Sequence, residues 1–113
     1  MKVVIPSWHG RVSPVFDVAC NFLVVDIENG REVKRASRTL GCKDLLTRIK
    51  YVSQLGTDVL ICGAISWPLE TTLHAAGVQV IAYICGPVDD VLKAFLDDTL
   101  RNNAFLMPGC YDR

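Results

Sequence analysis

Net charge is the first thing this chain lacks: twelve Lys and Arg balance twelve Asp and Glu, and the formal charge at pH 7 is zero. That balance excludes the general attraction that draws basic proteins to nucleic acid or to an anionic membrane. No apolar run approaches the length of a membrane span, and Met1-Lys2-Val3-Val4-Ile5-Pro6 is too short for a signal peptide. A cytoplasmic address is expected, with neither nucleic acid nor membrane as partner. Paired short cysteine spacings are missing as well. There are five cysteines but no C-x-x-C, so a Cys₄ zinc knuckle is excluded. In a reducing compartment such thiols are expected to be free or to act as ligands. Low-complexity segments and domain boundaries are also absent. One domain over 1–113 is expected, large enough to bury a core without staples, with a tail from about 101.

What is present centres on Val59-Leu60-Ile61-Cys62-Gly63-Ala64-Ile65-Ser66. Nearly every residue is apolar, and turn formers flank the run, which predicts a strand buried on both faces of a parallel sheet. A second run over 78–87 repeats the grammar of apolar strand, Cys-Gly and helix start. Around these, a first strand is expected over 2–5, stopped by Pro6, then an irregular loop over 7–17. Strands over 22–28 and 31–39 flank Asn29-Gly30, a strong hairpin signal because both residues tolerate positive φ. The charges of the second arm mark an exposed edge strand, a solvated face rather than a binding patch.

Helices are expected over 43–55, 67–76 and from Pro87 to about 100. The first shows Leu45, Leu46, Ile49, Val52 and Leu55 at helical spacing, with Lys43, Asp44, Arg48 and Lys50 on the other side, and a stop at Gly56. The second has Ser66 as N-cap, and the third carries Asp89 and Asp90 in its first turn. This order predicts an α/β three-layer sandwich with a mixed five-stranded sheet. Open α/β sheets bind ligands beyond the carboxyl ends of their parallel strands. Here those ends deliver Ser7-Trp8-His9-Gly10, Cys62-Gly63 and Cys85-Gly86 to one edge. Two of them lead into helix starts, which favour anions and depress thiol pKa. Gly63 and Gly86, lacking Cβ, leave room for a bulky ligand.

Four segments together resemble a known family. They are Gly10-Arg11-Val12-Ser13-Pro14-Val15-Phe16-Asp17, the hairpin over 25–30, the run over 58–66, and Met107-Pro108-Gly109-Cys110. In order and spacing they are similar to the dinitrogenase iron–molybdenum cofactor-binding family, which includes NifX- and NafY-like nitrogenase accessory domains and small stand-alone members. The resemblance covers nearly the whole chain. It implies a ribonuclease-H-like fold and a carrier of iron–molybdenum cofactor, or of an iron–sulfur or molybdenum–sulfur cluster precursor. Cluster donor and acceptor proteins are the implied partners. Many members have His where this chain has Val15, which leaves His9 and the cysteines as donors.

The residues themselves leave choices open. Cys62 suits core packing as well as ligation, and Cys85 and Cys110 are evenly balanced between ligand and stray thiol. His9 sits in the Gly-rich loop at the expected site, whereas Cys20, Cys42 and His74 lack a matching context. Ser13 and Ser66 can donate to sulfide or serve as turn and cap residues. The expected cluster site therefore comprises His9, Ser13, Cys62, Gly63, Ser66, Cys85, Gly86 and Cys110, with Cys62, Cys85, Cys110 and His9 on the metal. Soft thiolates select such clusters, and few ligands suit later transfer. The alternative is a small cysteine-dependent enzyme using Cys62 or Cys85 with His9 as base, although no third orienting group is evident. Nuclease chemistry is disfavoured, because neither 2–5 nor 59–65 carries a carboxylate. The exposed edge strand leaves pairing into a homo-oligomer open.

Overall fold

In the computed structural model, which describes residues 1–41, 44–100 and 105–107, the apolar runs form adjacent parallel strands of one mixed sheet. The strands are β1 (Lys2–Trp8), β2 (Arg11–Val12), β3 (Asn21–Glu28), β4 (Arg31–Thr39), β5 (Val59–Ile61) and β6 (Gln79–Ile81). The helices are α1 (Leu45–Gln54), α2 (Trp67–Ala75) and α3 (Val88–Leu96), and Phe16–Val18 makes a 3₁₀ turn. The sheet order is β4-β3-β1-β5-β6, with β2 attached to β1. β1, β5 and β6 run parallel, and β3 is antiparallel to β1 and β4.

Period-two alternation splits the core into two layers. Val3, Ile5, Val25, Val59, Ile61 and Ile81 pack with Val91 and Leu92 of α3. Val4, Phe22, Val24, Leu60, Cys62 and Val80 pack with Val52 of α1 and with Leu69 and Leu73 of α2. Helices thus cover both faces, and all three β5 residues are buried, as a parallel central strand requires. Each fully buried aliphatic side chain contributes about 1.5–3 kcal/mol relative to exposure.

The sheet has six strands rather than the expected five. Pro6 does not stop β1; it pairs with Phe22 in register, and its carbonyl accepts from the Ser13 amide at 2.8 Å. Pairing of β1 with β5 ends at Val4, and from Ser7 onward β2 takes the vacated side. His9 and Gly10, at φ 52° and 75°, form a two-residue turn of the same kind as Asn29 and Gly30 at 53° and 75°. The loop expected over 7–17 is therefore largely a second hairpin.

Helix ends also differ from expectation. Asp44 caps α1 by accepting from the Thr47 amide at 2.8 Å. α3 stops at Leu96, short of residue 100. The Thr99 amide returns to the Ala94 carbonyl and the Asp98 amide to Phe95, with Asp98 at φ 59°. This is a Schellman stop with aspartate where glycine is usual.

Candidate functional site

The carboxyl ends of β1, β5 and β6 do meet at one edge, and backbone hydrogen bonds knit them together. The Ala64 amide donates to the Pro14 carbonyl and the Phe16 amide to Ala64, both at 2.8 Å. The Val12 amide donates to Gly86 at 2.9 Å, and Val88 donates to Gly10 at 3.0 Å. On the far side, Cys85 donates through its amide to Phe105, and Met107 to Tyr83. Four residues at positive φ gather here: His9, Gly10, Tyr83 and Gly86. Unusual backbone of this kind concentrates at functional edges.

Beside the end of β1 lies an open groove of about 490 Å³, lined by Ser7, Trp8, Ser13, Val15, Val18 and Cys20 among others. Its lining is mainly apolar, and Trp8 and Val18 are well exposed on it. Trp67, at the start of α2, is 75% exposed. Trp8 also meets the His9 ring edge-on at 4.2 Å between centroids. Buried beneath the segment that forms the groove wall is Arg48 of α1. Its guanidinium donates to the carbonyls of Phe16 and Ala19 and lies 5.9 Å from the centre of the Phe16 ring. No apolar residue at that position could hold the 3₁₀ turn this way.

The expected site residues take different places. Cys62 is fully buried in the layer under α1 and α2, and desolvation pushes its thiol well above its ordinary value of 9.0, with Glu70 and Asp17 adding to the shift. The expected depression of this thiol by a helix start is therefore reversed. Cys62 packs among apolar side chains there, with no exposed surface through which a metal could reach it. Gly63 does not clear space for a ligand either. A Cβ there would lie 2.5 Å from the Pro14 carbonyl oxygen and 2.6 Å from that of Ser13, so the chain itself fills the space. Gly86 sits at φ 129° with Phe105 against it, which explains the glycine by conformation.

Ser66 occupies the N-cap position of α2 without capping through its side chain. Its amide donates instead to the Asp17 carboxylate at 3.0 Å, so an internal anion already occupies that helix start. Ser13 is buried along the groove. His9 is exposed at the hairpin tip, and Cys85 is half-buried with its thiol toward the Leu106 carbonyl at 3.6 Å. Cys85 is not among the groove-lining residues. Cys110 and Cys42 lie outside the described residues. Among the described residues, no three His, Cys, Asp or Glu side chains stand together as a metal site.

The residue that sequence reasoning passed over is Cys20, half-buried on the groove wall. Only the pairing of Ser7 with Asn21 brings it beside the end of β1, and no spacing in the sequence announces that register.

Fold and edge together define a small α/β domain with an open, mainly apolar groove at the carboxyl end of its first strand. The chain belongs to the dinitrogenase iron–molybdenum cofactor family, whose model matches residues 1–98. A cofactor-related accessory role follows from that membership. An uncharacterized protein of Methanocaldococcus jannaschii is 24% identical over 106 residues, covering 89% of this chain and 90% of that one. The crystal structure of PH0822 superposes with a TM-score of 0.82 at 22% identity, over 87% of this chain and 90% of its own. The apo form of the orange protein from Desulfovibrio gigas gives 0.72 at 21% identity, over 99% and 96%. No helix among the described residues is long and apolar enough to cross a membrane.

Proposed function

We propose that this chain carries a metal–sulfur cluster, either iron–molybdenum cofactor or an iron–sulfur or molybdenum–sulfur precursor, between cytoplasmic donor and acceptor proteins. The observation that carries this reading is the open apolar groove with a thiol, Cys20, on its wall, in a chain of this family. A groove of about 490 Å³ falls within the range of small-ligand sites. Soft thiol donors suit iron, copper and molybdenum–sulfur species. Cys20 holds the cargo from the groove side, and His9 at the adjacent hairpin tip, Cys85 beyond the end of β6 and Cys110 are the further candidate donors. Exposed Trp8 on the groove lining shields the cargo and presents an apolar surface to the acceptor. With β2 set aside, the strand order third-second-first-fourth-fifth, with the second antiparallel, supports the ribonuclease-H-like reading.

The test is anaerobic reconstitution with iron and sulfide, with and without tetrathiomolybdate. Bound metal and sulfide are measured along with charge-transfer absorbance. Wild type is expected to load, Cys20→Ser and Cys85→Ser to load less, and Cys62→Ser to load as wild type. A folded wild type that retains no metal–sulfur species under any of these conditions overturns the proposal. Loss of loading in Cys62→Ser alone would return the site to the buried cysteine.

A further inference from the structure

We propose that the outer edge of β4 is a docking site for an extended acidic segment of a partner protein, which adds as a strand to the sheet. This rests on the sheet edge alone and is independent of what the groove holds. β4 is terminal in the sheet order, nine residues long, and exposed along nearly its whole length. Its inner side pairs with β3 from end to end, broken only by an irregularity between Asp26 and Ile27 at the hairpin end. The other side of a terminal strand presents backbone donors and acceptors that a further strand can pair.

Charge decides which strand. β4 carries four cations, Arg31, Lys34, Arg35 and Arg38, against one carboxylate, Glu32, in a chain of zero net charge. Arg35 is engaged by Glu32 at 2.6 Å and by Asp89 of α3 at 2.7 Å. No salt bridge engages Arg31, Lys34 or Arg38 among the described residues. By register with Asp26 and Phe22, Lys34 and Arg38 lie on one face of the strand, with Ala36 between them opposite Val24. Pairing β4 with β4 of a second copy would set one cationic strand against another, which is unfavourable. A strand with Glu or Asp at alternate positions instead places a carboxylate beside each free cation. The same charges that guard the edge against self-association thus select an acidic occupant.

The probe is a fluorescein-labelled peptide as long as β4 that alternates Glu with Val, titrated with the full chain and followed by anisotropy. Expected is saturable binding that weakens about tenfold in Lys34→Glu/Arg38→Glu. Amide shifts in the isotope-labelled chain should be confined to β4 and its neighbour β3. A peptide of the same charge with proline at alternate positions should not bind, because it cannot complete a ladder. Equal binding of the proline peptide overturns the proposal, since charge alone would then suffice. So does absence of binding by the alternating peptide. Binding of single-stranded oligothymidylate in its place, or dimerisation of the chain through β4 in sedimentation, also overturns it.

Discussion

At Gly63 any side chain collides with two backbone carbonyls, those of Pro14 and Ser13, which cannot swing aside as a flexible side chain can. Gly63→Ala is expected to cost about 3 kcal/mol in denaturant unfolding. Gly30→Ala meets open space but a φ of 75°, and should cost only about 1 kcal/mol. Equal costs at the two positions would refute the threading of residues 13–14 against β5. The neighbouring Cys62 makes a prediction about pH. Its thiol is held protonated in the folded state while the unfolded thiol ionises near its ordinary value of 9.0. Above that pH the unfolded chain releases a proton that the folded one keeps, so stability falls as pH rises. One such group contributes a slope of about 1.4 kcal/mol per pH unit. Cys62→Ala should flatten the alkaline limb of the stability profile, although it also leaves a small cavity. In native wild type, iodoacetamide should label Cys85 well before Cys62, and peptide mass analysis would show the order.

Among the elements, α3 and α1 each hold a feature with a measurable consequence. Asp98 takes the left-handed position that closes α3, which costs a non-glycine residue about 1 kcal/mol. Asp98→Gly should therefore stabilise the protein by about 0.5–1 kcal/mol in thermal or denaturant melts. Arg48 ties α1 to the turn that forms the groove wall. Arg48→Met keeps the bulk but takes the guanidinium donor from the buried Ala19 carbonyl and leaves Phe16 with the Ala19 amide alone, an expected loss of roughly 1–3 kcal/mol. Hydrogen exchange at the Ala19 amide, which donates to Phe16, should rise more than exchange at β3. These elements also show where sequence reading succeeds. Asn29-Gly30 announces its hairpin because both residue types accept positive φ freely, whereas His9-Gly10 makes the same turn with a residue that rarely signals it. The helix over 43–55 is legible from spacing, yet Arg48 reads as its solvent face and is instead buried, because its partners come from residues nearly thirty positions away. The end of α3 is hidden for a simpler reason: aspartate does the work of glycine.

For the molecule as a whole, the two core layers share the same strands, so neither can loosen alone. Leu69→Ala under α2 and Leu92→Ala under α3 should each cost about 3 kcal/mol and lower one common unfolding transition. Two separated transitions by circular dichroism would mean that the layers are independent. Apart from β2, the order of strands and helices and the edge where β1, β5 and β6 end were legible from apolar runs and turns. Which thiol faces that edge was not, because strand parity decides it. Leu60 and Cys62 share one side and Ile61 the other, and no composition rule says which side is deep.

Pro6 gives the edge a further property. β1 parts from β5 after Val4, and the gap that opens is closed by the chain's own residues 13–16, bonded to Pro6 on one side and Ala64 on the other. The seam is shut, so whatever occupies the groove rests on the outside of the sheet and never between its strands. If the chain is the carrier proposed above, loading and release need no breathing of the fold. The observed association rate should climb in proportion to ligand concentration, without the plateau that a slow gate would impose. Stopped-flow mixing of the apo chain with cluster would reveal such a plateau, and with it a hidden opening step, if the seam parts.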